Sequence, residues 1–246
     1  MKDVSFKLSY YSVRLLLLHR TNYRSSFSQG IRNVFKRLNL CDLYDSHLWS
    51  FIELPEVLFR KRVSALYKKE MVEIFNTMSE YLPAKPLAIL DIGAGMGGID
   101  LVLYHHYNNK PNLYLLDKDG VSEKINAGFN KTAEDFSHYN SFAHAKLFLT
   151  DNNVPADHIH TINISSEAFP TEQKFDLVIS LLSWGFHYPI STYVQEVYDS
   201  LQSGGSLIID VRKDTDGISE LTKMFNSTPE TIYEENKFVR VAVRKK

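Results

Sequence analysis

The chain contains a single cysteine, Cys41, among 246 residues. No intrachain disulfide can form, and no zinc or iron–sulfur site built on several thiolates is possible; a reducing, cytoplasmic compartment is the expectation. Long hydrophobic runs are also missing. The longest near the amino terminus, Leu15-Leu16-Leu17-Leu18, lies between Arg14 and His19-Arg20, far short of the ~20 residues a membrane helix needs. It lacks the length and cleavage pattern of a signal peptide and reads as one face of an ordinary helix. No repeat, no low-complexity tract and no His/Asp/Glu set at metal-ligand spacing is present, so no metal is expected.

What is present is an apolar content of 44%, enough for one large core with an appendage. The net charge of −1 conceals an asymmetry. Residues 1–40 carry Lys2, Lys7, Arg14, Arg20, Arg24, Arg32, Lys36 and Arg37 against Asp3 alone, a balance of +7, and the rest of the chain carries −8. Such a basic arm can steer an anionic partner such as a phosphate, a sugar nucleotide, RNA or a lipid surface; it is equally what solvated faces of capping helices look like.

Residues 1–85 read as a helical cap, clearest from Leu58 to Met78, where Val63, Leu66, Tyr67, Met71, Ile74, Phe75 and Met78 recur at helical spacing. Pro83 and Pro86 end that pattern. From residue 86 strands and helices alternate. Strands are expected at 87–92, 112–117, 158–164, 175–181, 205–211, 230–235 and 238–244, with helices at about 96–107, within 138–152, at 190–202 and near 215–226. This predicts a doubly wound α/β domain over 86–246: a mostly parallel seven-stranded sheet closing in an antiparallel hairpin across Asn236-Lys237.

Asp91-Ile92-Gly93-Ala94-Gly95-Met96-Gly97-Gly98 follows an apolar strand and opens a helix. Glycines there let the backbone turn sharply and approach a ligand. Gly93-x-Gly95-x-x-Gly98, with Asp117 ending the second strand, also satisfies the dinucleotide fingerprint, so the loop alone does not choose between cofactors. Asp119 reads as a turn residue and Asp210, ending the fifth strand, as the partner of Arg212 or Lys213.

Leu90 to Gly97, Leu115-Leu116-Asp117, Phe175 to Ser180 and Ser203 to Ile209, in this order, resemble the successive motifs of class I S-adenosylmethionine-dependent methyltransferases. The resemblance spans about 160 residues, from Leu87 onward. It implies S-adenosyl-L-methionine as cofactor, bound by Asp91, Gly93, Ala94, Gly95 and Gly97 of the loop and by Asp117 at the ribose. Asn163, where the family often has an acid, and Ser180 complete the implied set.

Ser183-Trp184-Gly185-Phe186-His187-Tyr188-Pro189 follows the fourth strand, where an open parallel sheet faces its ligand. Trp184 and Phe186 are the candidate acceptor wall, His187 is the candidate general base or else a structural residue tied to the Tyr-Pro turn, and Tyr188 is an orienting hydroxyl. The Asp- or Asn-Pro-Pro-aromatic tetrad of enzymes that methylate nucleobase amines is missing, which disfavours that acceptor class. His105 and His106 read as structural.

The leading expectation is O-methylation of a small-molecule or glycan-type acceptor, an anionic one giving the basic arm a purpose; the loop faintly resembles bacterial sugar O-methyltransferases. The alternatives are an N- or RNA methyltransferase, an NAD-dependent oxidoreductase, and a non-catalytic partner subunit with a cofactor fold.

Overall fold

Residue Ile89 of the first strand is wholly buried on one face of the sheet, and its neighbours Ala88 and Leu90 are buried on the other. A strand buried on both sides must sit in the middle of a layered sheet. The computed structural model describes residues 4–19, 54–108, 110–121 and 139–246. Cys41 and six residues of the basic arm, Lys2, Arg20, Arg24, Arg32, Lys36 and Arg37, lie outside them, as does the side chain of Arg14.

The elements in chain order are α1 (Tyr10–His19), α2 (Leu54–Asn76), β1 (Ala88–Ile92), α3 (Gly98–His106), β2 (Asn112–Asp117), β3 (Gly120–Val121), β4 (Tyr139–Asn140), α4 (Phe142–Asp151), β5 (Ile159–Asn163), β6 (Phe175–Ser180), β7 (Ser183–Tyr188), α5 (Val194–Ser200), β8 (Leu201–Arg212), α6 (Gly217–Phe225), β9 (Glu230–Glu234) and β10 (Phe238–Arg244). Seven strands form one sheet in the order β5-β2-β1-β6-β8-β10-β9. All pairs are parallel except those of β10, which runs antiparallel to both β8 and β9. The expected hairpin closes where Glu235 donates its N–H to the carbonyl of Phe238 at 2.9 Å. Its outer strand, Glu-Thr-Ile-Tyr-Glu, is largely exposed; a charged, short edge discourages further strand addition.

The chain builds outward from β1 through β2 to β5, then returns to the other side of β1 with β6. That reversal leaves a crevice beyond the carboxyl ends of β1 and β6, the place where open α/β sheets bind ligands.

Each face of the sheet has its own helical layer. One carries α5 and α6. The other carries α3, α4 and the amino-terminal segment, whose Val4, Phe6, Leu8, Val13, Leu15 and Leu16 share one buried cluster with Tyr67, Leu101, Phe148 and Leu177. Phe6 makes edge contacts with Tyr67 and Phe148 at 5.6 and 5.7 Å. The backbone of Lys7 both donates to and accepts from the buried side chain of Asn152, at 2.7 and 3.0 Å. The cap is therefore packed into the same core as the sheet, and residues 15 and 16 of the leucine run supply a buried helix face as expected.

Differences from the sequence-based expectation are local. Residues 183–188, expected as a loop, form the extended β7. The helix expected at 190–202 divides into a short 3-10 turn, Ile190–Thr192, and α5, because Tyr193 between them leaves the helical region.

Candidate cofactor and acceptor site

The glycine loop is stitched to the end of β2. Gly93 N–H donates to the carbonyl of Leu116 at 2.7 Å, with Ala94 N–H at 3.4 Å from the same oxygen, and Gly95 N–H donates to Asp117 Oδ2 at 2.8 Å. The other oxygen of Asp117 accepts from Lys118 N–H at 2.7 Å. The loop and the expected ribose acid thus converge on one spot. A Cβ placed on Gly95 would meet nothing within 4 Å, so this residue faces open space.

Two glycines are required by their neighbours. Gly93 has φ +81°, and a Cβ there would fall 2.1 Å from Ser183 Oγ; only glycine combines that dihedral with that approach. A Cβ on Gly98, at the start of α3, would fall 2.1 Å from the hydroxyl of Tyr67 on α2. The cap helix therefore rests on the end of the glycine loop. Gly97 precedes it in the left-handed region as the cap of α3.

Three carboxylates gather at this loop. Residues alternate across a strand, so Asp91 shares its face of β1 with Ile89, toward α3, and Asp117 shares the corresponding face of β2 with Leu115. Asp100, in the first turn of α3, is fully buried and Asp91 is 2% exposed. Burial raises the pKa of Asp91 well above the carboxylate range, with the charges of Asp100 and Asp117 adding to it. Asp100 is raised to about 7, again chiefly by burial.

Across the crevice, Ser180 is buried; its hydroxyl lies 2.9 Å from the carbonyl of Ile92 and 3.1 Å from that of Trp184, joining the ends of β1, β6 and β7. Asn163 ends β5 as a turn cap: its side-chain oxygen accepts from Ser165 N–H at 3.1 Å and Asp119 N–H at 3.3 Å. Asp119 in turn accepts from Phe142 N–H at 2.9 Å at the start of α4, a tertiary contact rather than the local turn expected of it.

Solved structures of similar architecture are methyltransferases. That of Pyrococcus furiosus has a TM-score of 0.50 at 14% identity, covering 71% of this chain and 82% of its own. The 16S rRNA methyltransferase of T. thermophilus, in complex with AdoMet and guanosine, gives 0.49 at 14% identity over 72% of this chain; the present chain spans 43% of its length. The magnesium protoporphyrin IX methyltransferase of Synechocystis, with bound SAM, gives 0.48 at 12% identity, over 77% and 84% of the two chains. No protein-family profile and no curated protein sequence matches the chain. The chain has the class I methyltransferase fold.

In this methyltransferase fold β7 runs beside the glycine loop. Ser183, Gly185 and His187 share one face of the strand. Ser183 abuts Gly93, and a Cβ on Gly185 would lie 2.7 Å from the carbonyl of Asp210. His187 is exposed, and desolvation of its ring, with the charge of Arg212 adding, lowers its pKa below the ordinary imidazole range. Phe186 stacks edge-on against Phe238 at 6.0 Å, under the guanidinium of Arg212 at 5.7 Å. Tyr188 lies under the ammonium of Lys118 at 5.5 Å.

Two expectations are corrected. Trp184 is completely buried, and its indole N–H donates to the carbonyl of Ile190 at 3.0 Å. It presents no surface to an acceptor and serves as the anchor of β7 in the core, whereas Phe186 is half-buried. Asp210 does not pair with Arg212 or Lys213. Its carboxylate takes both Nε and Nη2 of the buried Arg240, at 2.7 and 2.9 Å, while Lys213 pairs with Glu234. Arg240 stands opposite Asp210 on the neighbouring strand, a pairing that sequence proximity hides.

Sequence reasoning passed over Ser183, Asp100, Tyr67, Lys118 and Arg212. An acid in the first turn of the helix that opens on a glycine loop was a visible signal for Asp100; the others meet the site only through tertiary contact. At the far end of α3 the ring of His105 lies 2.8 Å from the carbonyl of Asn152, and that of His106 is tilted against Phe75 with centroids 4.9 Å apart. Among the described residues no group of His, Cys, Asp and Glu could hold a metal ion, and no helix is long and apolar enough to cross a membrane.

Proposed function

We propose that the chain is an S-adenosyl-L-methionine-dependent methyltransferase acting on a hydroxyl of a small-molecule or glycan-type acceptor. The observation that carries the cofactor reading is the electrostatic character of the loop. Asp91, Asp100 and Asp117 surround it, two of them buried. A pyrophosphate brought to this place would meet carboxylates at close range in a medium of low dielectric, where like charges repel strongly. A ligand with an ammonium and a sulfonium would meet complementary charge. The residues present therefore fit S-adenosyl-L-methionine and disfavour NAD.

When bound, that cofactor supplies a methyl group activated on positively charged sulfur. Asp117 would hold its ribose, as a carboxylate suited to accept from two hydroxyls. Gly93 and Gly95 let the backbone approach it, and the Asp91 side would face its ammonium. Binding mode aside, the protein's chief task in such a displacement is alignment, which is worth roughly 7–11 kcal/mol when the reacting atoms are well placed.

His187 is the proposed base. Its lowered pKa keeps the imidazole neutral at pH 7, the form able to accept a hydroxyl proton. Arg212 and Lys118, each set over an aromatic ring of β7, give the acceptor wall a positive rim that supports an anionic acceptor. Calorimetric titration with S-adenosylhomocysteine and with NAD tests the cofactor, and labelled-methyl transfer to hydroxyl acceptors with and without a carboxylate or phosphate tests the rest. Tight NAD binding without S-adenosylhomocysteine binding would sink the reading.

A further inference from the structure

We infer that Asp91 and Asp100 share one proton in the ligand-free protein, and that a ligand ammonium arriving at the glycine loop expels it to solvent. The inference rests on the cofactor reading above only for the identity of the ligand. Its foundation is a hydrogen-bond account of two buried carboxyls.

Asp91 and Asp100 lie within hydrogen-bonding reach of each other. Neither oxygen of Asp100 meets a donor from any other residue, although both are sealed from water. Two ionised carboxylates are acceptors only and cannot satisfy one another; a single proton between them turns repulsion into a hydrogen bond. Among the described residues the charges that act on Asp91 are those of Asp100 from α3 and Asp117 from β2, both negative. Among the described residues the phenol of Tyr67 from α2 is also packed here, against Gly98. No positive charge in this set compensates the pair, so the proton takes that place.

A ligand ammonium beside Asp91 supplies the missing charge. The pair then ionises, the hydrogen bond between the carboxyls is replaced by one from the ammonium, and the proton passes to buffer. Asp100, which has no surface of its own, is thereby a positioning residue that favours cationic over anionic ligands. A phosphate at the same loop would hold the proton in place.

The test is isothermal titration of the whole chain with S-adenosylhomocysteine in phosphate and in Tris buffer. The apparent enthalpy should vary with the ionisation enthalpy of the buffer, reporting net proton release on binding that shrinks as the pH is raised and the free pair loses its proton. Asp100→Asn, which keeps the shape and can donate to Asp91, should bind the ligand within about tenfold of wild type, ~1.4 kcal/mol, and release no proton. Normal binding with no buffer dependence overturns the inference. Should the ligand fail to bind, the cofactor reading falls, and the ligand-free protein still decides the proton: an infrared band of a protonated carboxyl at pH 6, lost on raising the pH and missing in Asp100→Asn, upholds it, and the absence of that band from wild type overturns it.

Discussion

Arg240 and Asp210 form a two-toothed ion pair inside the sheet, one exposed by 2% and the other not at all. The guanidinium reaches further, donating through Nη1 to Thr77 Oγ1 at 2.6 Å just beyond α2. One side chain thus fastens the cap to β10 and β8. Replacing Arg240 with Met strands the Asp210 carboxylate, and breaking a buried pair in this way costs about 3–5 kcal/mol. Chemical denaturation should show that loss for Arg240→Met, with much of it recovered in the double variant carrying Asp210→Leu. A single variant as stable as wild type would show that the pair does not join the layers.

Ser183 fills the space that a Cβ on Gly93 would need, its Oγ lying 2.1 Å from that position. Gly93→Ala brings a side chain onto Ser183 and forces an unfavourable positive φ, which alone costs roughly 1–2 kcal/mol. The expected result is lower stability and loss of measurable S-adenosylhomocysteine binding. Adding Ser183→Gly removes the clash but keeps the backbone strain, so binding should return only in part. Equal binding by wild type and Gly93→Ala would contradict the placement of the loop against β7.

Asp117 accepts two backbone N–H groups, from Gly95 and Lys118, and is the proposed ribose acceptor. Charged hydrogen bonds contribute about 1.5–3 kcal/mol each. Asp117→Ala should therefore weaken S-adenosylhomocysteine at least tenfold, about 1.4 kcal/mol, as read by calorimetry. Unchanged affinity would remove Asp117 from the cofactor site.

Elements whose physics is local were readable in advance. Residues 112–117 alternate and then end in an acid, and the strand found there is Asn112–Asp117. Asn226 follows α6 in the left-handed region that a helix end favours, close to the expected stop. β7 was hidden because Gly185 interrupts it with a positive φ and Pro189 follows it, features shared with binding loops. Trp184 illustrates the limit of composition: an indole in a cofactor-side segment reads as a ligand wall until the carbonyl of Ile190, six residues away, is seen to take its N–H. The partner of Asp210 could not be chosen from the chain order, since Arg212 and Lys213 are adjacent in sequence while Arg240 is adjacent in the sheet.

His187 must be neutral to take a proton from a hydroxyl. Its pKa lies below the ordinary imidazole value of about 6.5, so the rate of methyl transfer should rise with pH on the acid side, below about 6.5, and level off above it. His187→Gln should reduce kcat by about 10²–10⁴ without changing S-adenosylhomocysteine affinity. Arg212→Gln removes a neighbouring positive charge and should move the acid limb to higher pH. A His187→Gln variant with unchanged kcat would show that His187 is not the base.

Asp100 makes folding stability depend on pH in the direction opposite to that of a salt-bridged acid. Its pKa is about 7 in the folded chain and about 3.9 in the unfolded one, so between these values the folded state binds the extra proton. Its stabilising contribution is complete below the unfolded value and is lost as pH rises through about 7. Thermal unfolding of the ligand-free protein should therefore show a falling Tm between about pH 5 and pH 8, the range set by this linkage. Asp100→Asn cannot ionise, so its Tm should decline less and should exceed that of wild type at the alkaline end. Parallel curves for the two proteins would mean that Asp100 ionises in the folded chain as easily as in the unfolded one, despite its burial.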